Sequence, residues 1–212
     1  MNLYLIRHAE SEANVKSDIV GGRNSSVPLS NLGKRQAIEL GSELTNANIQ
    51  FDSLVSSSAI RAIETASYIK HRQKTPHDII TYSDLEELSQ GIAEGKHRSE
   101  IYTPEVIKQI RSDPYNFKQP GGESQRDVTI RVMNRLWDLI KNLHSTYNNT
   151  HQDLGIVCHG YVIKSIVSSA LNINPGRTFF IDIDNASVTK FIIDDNNIRD
   201  TWRLSYLNRV KL

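Results

Sequence analysis

The chain has 212 residues, and 25 Lys plus Arg against 24 Asp plus Glu leave a formal charge of +1. A chain of this length buries about 70% of its unfolded surface, which suffices for one complete core and is thin for two. The even charge gives no global field toward nucleic acid or an anionic membrane, and the single cysteine, Cys158, excludes an intrachain disulfide and a multi-cysteine zinc site.

Hydrophobic content of 38% and charged content of 23% are ordinary globular values, with no repeat or low-complexity block, so one folding unit over residues 1–212 is expected. No apolar stretch approaches the roughly 18 residues of a membrane span, and MNLYLIRHAE lacks a basic region followed by a long apolar one. The expectation is a cytoplasmic protein.

In chain order, Leu3–Ile6 is a short run without polar alternation, as a strand covered on both faces reads. Ser30 then offers a cap to a helix with Ala37, Leu40, Leu44 and Ala47 on one face. Phe51–Val55 is a second strand, followed by a helix with Ile60, Ile63, Ala66 and Ile69 in phase, and a briefer strand lies around Ile79 and Ile80. Residues 95–120 interrupt the alternation, with Thr103-Pro104-Glu105 as a helix start and Asp113-Pro114 as a stop, and are expected to form a small cap. Ser124 to Asp127 resembles a capping box for a helix through Val128, Val132, Leu136, Leu139, Leu143 and Tyr147. Leu154–Cys158 is a buried strand, and a helix through Val162, Ile166 and Val167 follows His159. Phe179–Ile183 and Val188–Ile193 around Asp184-Asn185 read as two strands and a tight turn, and Trp202–Leu207 adds one more strand.

This order predicts an α/β fold: a mostly parallel central sheet in a three-layer α/β/α sandwich, with strand carboxyl ends along one edge, where ligands bind. Arg7-His8 follows the first strand, Ser56 to Arg61 the second, Glu87 the Ile79 segment, and His159-Gly160 the fourth. Taken alone, a strand followed by Arg-His is commonly a solvated strand end; four coincident ends point to a site. Two guanidinium forks and two imidazoles suit a phosphoryl group, and helix starts near Ser58 and Gly160 add backbone N–H donors.

Competing motifs fail on spacing. Gly91 to Lys96 has one residue too few between its glycines for a phosphate loop, and His97 stands where a hydroxyl is required. No His-x-x-x-His or Asp-x-Asp cluster supports a metal, and no G-x-S-x-G elbow supports an esterase. Cys158 precedes His159 on a strand, so the two point to opposite faces, and it reads as a packing residue. His71, His77, His97, His144 and His151 sit in polar or helix-end contexts that suit surface roles.

Leu5-Ile6-Arg7-His8-Ala9-Glu10-Ser11-Glu12-Ala13-Asn14 resembles the signature of the histidine phosphatase, or phosphoglycerate mutase-like, superfamily. Further blocks resemble the family in order: Pro28-Leu29-Ser30 with Gly33, Ser56 through Arg61 to Ala66, Leu85-Glu86-Glu87 with Gly91, Pro120-Gly121-Gly122-Glu123-Ser124, and Cys158-His159-Gly160. The resemblance implies that His8 is the phosphorylated nucleophile, that Arg7, Arg61 and a protonated His159 hold phosphoryl oxygens, and that Glu87 gives a proton to the leaving group. It also matches Asn14 to a phosphate contact. Arg23 and Gly160 are the remaining candidates for substrate binding. In the cap, Lys96, His97, Arg98, Lys108, Arg111 and Lys118 either bind a second anionic group or form a solvated helix face, and Tyr102, Tyr115 and Phe117 either line a sugar or aromatic pocket or pack the cap. Ala9 in place of the usual glycine and Ala93 in place of a frequent tryptophan depart from the pattern and bear on substrate fit.

The activity implied is a metal-independent phosphomonoesterase, without a cofactor, acting on a small phosphorylated metabolite. A phosphoglycerate mutase and a noncatalytic phosphate-binding module are the alternatives; the compact cap favours the hydrolase over the first, and the complete catalytic set argues against the second. The final strand offers an edge through which two copies could pair as a homodimer.

Overall fold

Asn2–Arg7 forms β1, and its four central side chains are all buried, as an apolar run covered on both faces requires. In this computed structural model, which describes residues 1–74, 78–147, 152–194 and 202–212, β1 lies inside a six-stranded sheet. The elements that follow are α1 (Glu12–Val15), α2 (Asn31–Asn46), β2 (Ser53–Ser57), α3 (Ile60–Gln73) and β3 (Ile80–Tyr82). Next come α4 (Arg98–Ile101), α5 (Pro104–Ser112), α6 (Gln125–Tyr147), β4 (Asp153–Cys158), α7 (Gly160–Ala170), β5 (Val188–Ile193) and β6 (Trp202–Arg209). The strand order is β3-β2-β4-β1-β5-β6. The first four run parallel, whereas β5 and β6 are antiparallel additions.

Strand alternation divides the core between two helical layers. Leu3 and Leu5 of β1 join Ile156 and Cys158 of β4 under α6 and α7, while Tyr4, Ile6 and Val157 pack under α2 and α3. Cys158 is fully buried, and burial pushes its thiol up, as suits a packing residue.

The expected caps are present. Ser30 accepts from the Gly33 N–H at 2.9 Å. Thr103 caps the proline-started α5, and Ser124 and Asp127 exchange reciprocal bonds of 3.0 and 3.1 Å before α6. Two expectations are corrected. Phe179–Ile183 is not a strand: Pro175–Phe180 forms 3-10 turns, Thr178 turns inward to within 2.7 Å of Gln125 Oε1, and Phe179 and Phe180 stay exposed. Proline's fixed φ and the Thr178 anchor override the strand-like pattern. In α3 the buried face is Arg61, Ala62, Thr65, Ala66 and Ile69, so Ile60 is left 41% exposed. This phase turns Arg61 toward the strand ends.

Among the remaining histidines, His71 is exposed and exposed His97 pairs with Asp18 at 3.3 Å. His77, His151 and the side chain of His144 lie outside the described residues. No helix among the described residues is long and apolar enough to cross a membrane.

One contact fixes the segment after β1. A Cβ on Gly33 would lie 1.8 Å from the Glu10 carbonyl oxygen, and the Ser30 hydroxyl donates to Glu10 Oε1 at 2.6 Å. Gly33→Ala is therefore expected to destabilise the protein by about 3 kcal/mol, lowering Tm by about 6–12 °C in a thermal melt. An unchanged Tm would show that α2 can back away freely.

Candidate active site

The parallel strands end together, and each hands over a polar group. β1 ends at Arg7 and is followed by His8, β2 leads into the first turn of α3 with Arg61, and β4 leads to His159, which precedes α7. Glu87 comes from the loop beyond β3. A cleft of about 870 Å³ opens there, lined among others by Arg7, His8, Asn14, Arg61, Glu87 and Gly160. Such a volume suits a small ligand.

Arg61 bridges the two imidazoles. Its Nε–H donates to His8 Nε2 at 3.2 Å and an Nη2–H donates to His159 Nδ1 at 3.3 Å. A guanidinium only donates, so both ring nitrogens present lone pairs. His8 then carries its proton on Nδ1, which donates to the Ala9 carbonyl at 2.7 Å, and His159 carries its own on Nε2, 2.8 Å from Ser57 Oγ. Burial, reinforced by Arg61 and Arg7, holds His8 well below its ordinary pKa, and burial, His8 and Arg61 do the same for His159. The expected protonated His159 is thus corrected: the ring is wholly buried and neutral, accepts from Arg61, and stands behind it.

Arg61 is itself anchored, with Nη1 donating to Asn24 O at 2.6 Å and Nη2 to Gly22 O at 3.3 Å. Arg7 donates through Nη1 to the Ile183 carbonyl, but its buried Nε–H has no partner among the described residues. Burial works against both arginine charges, and Glu87 offsets part of that for each. Glu87 Oε1 accepts from Leu88 N at 2.9 Å and Tyr161 N at 3.2 Å, and the Tyr161 N–H lies 3.4 Å from Oε2. Gly160 keeps the adjoining space clear, because a Cβ there would lie 3.7 Å from Glu87 Oε2 and 3.9 Å from Arg7 Nε. Asn14 turns Oδ1 toward Ser11 N at 3.0 Å and Asn185 Nδ2 at 3.3 Å. Its amide N–H₂ is the end left for a ligand.

Besides the buried His159, Arg23 is a candidate that the structure does not bring into the cleft. Its guanidinium turns to Glu123 at 2.5 Å and donates to the Glu87 carbonyl at 3.3 Å, and its backbone N–H donates to Glu94 at 3.1 Å. A carboxylate within direct reach outcompetes an open cleft for this cation. Glu86, adjacent in sequence to Glu87, accepts from Ser25 and Ser58 at 2.9 and 2.6 Å and so belongs to the loop framework. Of the cap residues considered, Arg98 and Tyr102 line the cleft, and Lys118 lies 3.9 Å from Asp127.

Sequence reasoning did not single out Lys164, Tyr161 or Asn185. Lys164 lines the cleft with its ammonium 5.6 Å from the Tyr161 ring centre, and burial lowers its pKa against the pull of Asp182 and Glu87. Helical spacing from Gly160 to Lys164 was the available signal. Asn185 donates to the His8 carbonyl at 3.0 Å, a contact with no local signature.

Comparison with known proteins agrees with the fold. A 2,3-bisphosphoglycerate-dependent phosphoglycerate mutase of Rhizobium etli is 29% identical over 197 residues, 90% of each chain. A protein of Hydrogenobacter thermophilus named as a candidate phosphoserine phosphatase 2 is 31% identical over 210 residues, covering 98% of this chain and 95% of that one. The fold resembles a mycobacterial glucosyl-3-phosphoglycerate phosphatase, with a TM-score of 0.84, 24% identity and 98% coverage of both chains. It also resembles phosphoserine phosphatase from Entamoeba histolytica in complex with 3-phosphoglyceric acid, with a TM-score of 0.79, 25% identity and coverage of 98% and 96%. The sequence model of the histidine phosphatase superfamily (branch 1) matches residues 3–208. Six strands, a neutral imidazole held by arginine at the strand ends, and that match lead to one assignment: the chain belongs to the histidine phosphatase superfamily.

Proposed function

We propose that the protein is a phosphomonoester hydrolase that works through a phosphohistidine. The observation that carries this reading is the buried Arg7 Nε–H, left without a partner in a cleft where His8 presents a neutral Nε2. An orphaned buried donor costs about 1–3 kcal/mol, and an anionic oxygen arriving at the cleft would satisfy it.

In the proposed reaction His8 Nε2 attacks phosphorus as the ester P–O bond breaks, and the departing oxygen takes a proton from Glu87. Water then attacks the phosphohistidine, its protons leaving on the released inorganic phosphate while Nε2 returns to its lone-pair state, and Glu87 regains its proton from solvent. Arg61 Nε must exchange its bond to His8 for one to a phosphoryl oxygen, so it masks the nucleophile until an anion enters. Arg7, Arg61 and Asn14 supply fixed donors for the charged oxygens, which is the main demand of phosphoryl transfer. His159 acts through Arg61, accepting one of its N–H groups and directing the others. We read residues 95–120 as a cap on a single domain, with Arg98 and Tyr102 as its contribution to the cleft.

Glu87→Gln is expected to slow hydrolysis of an alkyl ester such as glycerol 3-phosphate by about 10²–10³-fold. It is expected to slow 4-nitrophenyl phosphate, whose leaving group needs no proton, by less than about 10-fold. Equal loss on both esters would remove Glu87 from the acid role. The similarity to a phosphoglycerate mutase favours one second reading, transfer back to substrate. Incubation of 3-phosphoglycerate with a bisphosphoglycerate primer separates the two: release of inorganic phosphate supports the hydrolase, and 2-phosphoglycerate without it supports the mutase.

A further inference from the structure

Behind the acid lies a cluster of charges that the proposed chemistry does not use. Glu123, half-buried just before α6, binds Arg131 in a fork, Nε to Oε1 at 2.9 Å and Nη2 to Oε2 at 3.0 Å, and takes Arg23 Nη2 on Oε2 at 2.5 Å. Both guanidinium groups then donate to the same main-chain oxygen, that of Glu87: Arg131 Nη2 at 3.1 Å and Arg23 Nε at 3.3 Å. Arg131 Nη1 also donates to Asp84 O at 2.7 Å, and Glu123 is tied to Ser89 by N–H bonds in both directions, at 3.1 and 2.8 Å. Burial pushes the Glu123 carboxyl up, but the bonds from Arg131, Ser89 and Arg23 outweigh it and hold the group ionised.

We propose that Glu123 is a positioning residue for the leaving-group acid, acting by aiming Arg131 and Arg23 at the Glu87 carbonyl. This rests on the reading of Glu87 as that acid. Two cationic donors fix the main chain of Glu87 from behind, and the Leu88 and Tyr161 N–H groups fix Oε1 in front. The carboxyl group then has little freedom left, and Oε2 is the oxygen that borders the open space beside Gly160. Stability alone is a poor reason for such a cluster, because apolar packing replaces buried ion pairs at little or no cost. What apolar residues cannot supply is a pair of donors to one carbonyl. Arg23 Nε already lies 3.5 Å from Glu86 Oε2, and without the Glu123 charge that carboxylate can draw the guanidinium away from the Glu87 carbonyl.

The test compares glycerol 3-phosphate with 4-nitrophenyl phosphate in the full chain and reads the ratio of their kcat values, in which a general folding defect cancels. Glu123→Gln is expected to lower the alkyl-to-aryl ratio at least about tenfold, through kcat and not KM. In a Glu87→Gln background the same change is expected to leave the ratio where Glu87→Gln alone puts it, because a residue acting through the acid has nothing further to remove. Arg23→Gln, at a partly exposed side chain, removes one grip while leaving the Glu123–Arg131 fork, and is expected to lower the ratio about threefold. It keeps the test decisive should Glu123→Gln fail to fold. If Glu87→Gln splits the two esters and neither Glu123→Gln nor Arg23→Gln does, the positioning role is overturned and the acid stands. If Glu87→Gln itself does not split them, both fall.

Discussion

His8→Ala is expected to reduce hydrolysis of 4-nitrophenyl phosphate by at least about 10⁴-fold and to abolish an acid-labile phosphoenzyme in rapid-quench experiments. Among the described residues, this side chain supplies the only imidazole nitrogen that both lines the cleft and faces Arg61 with a lone pair, since His159 is wholly buried. No other described group could inherit the role without a rearrangement of the strand ends. Burial, Arg61 and Arg7 keep the ring neutral to well below its ordinary value. Acidification through the ordinary histidine range therefore leaves the nucleophile intact, and the phosphoenzyme burst is expected to keep its amplitude from about pH 7.5 to about pH 5.5. A burst that halves near pH 6.5 would show that His8 titrates as an ordinary solvent-exposed histidine, and a phosphoenzyme surviving in His8→Ala would remove it from the mechanism.

Arg61→Leu is expected to lower kcat/KM by about 10³-fold or more, in the range found for guanidinium groups that stabilise a transferring phosphoryl group. Its four contacts, to both imidazoles and to the carbonyls of Gly22 and Asn24, are lost at once. Arg61→Lys is expected to recover little, because one ammonium cannot span a planar array of acceptors. Kinetics on 4-nitrophenyl phosphate check both variants. Recovery by lysine to more than half of the original kcat/KM would mean that only the charge of Arg61 matters.

Much of this was readable before any coordinates. Runs such as Leu3–Ile6 and Leu154–Cys158 announce strands buried on both faces, and helix caps at Ser30, Thr103 and Ser124 are local chemistry that local sequence records. The site was legible because parallel strands deliver their ends to one edge, so that position along the chain foretold proximity in space. Failures arose where partners are remote. Arg23 meets Glu123, 100 residues away, and nothing near either residue announces the pairing. The protonation of His159 was misjudged because it depends on which atom of Arg61 faces the ring, a matter of geometry and not of residue type. Phe179–Ile183 carried a strand-like pattern, yet the proline-started turns and buried Thr178 decided its path.

β1 is synthesised before both of its neighbours in the sheet, β4 on one side and β5 on the other, strands that begin at Asp153 and Val188. The main chain of His8 is held in the same way: its N–H donates to Cys158 O at 2.9 Å, and its carbonyl accepts from Ala186 N at 3.3 Å. A nascent chain that has not yet reached Asp153 therefore carries the signature motif as sequence but with neither neighbour. Contacts of such large separation form late and together. Chemical competence accordingly waits for β4 and β5 to emerge, and a product terminated before them carries the nucleophile without the pocket that would make it one.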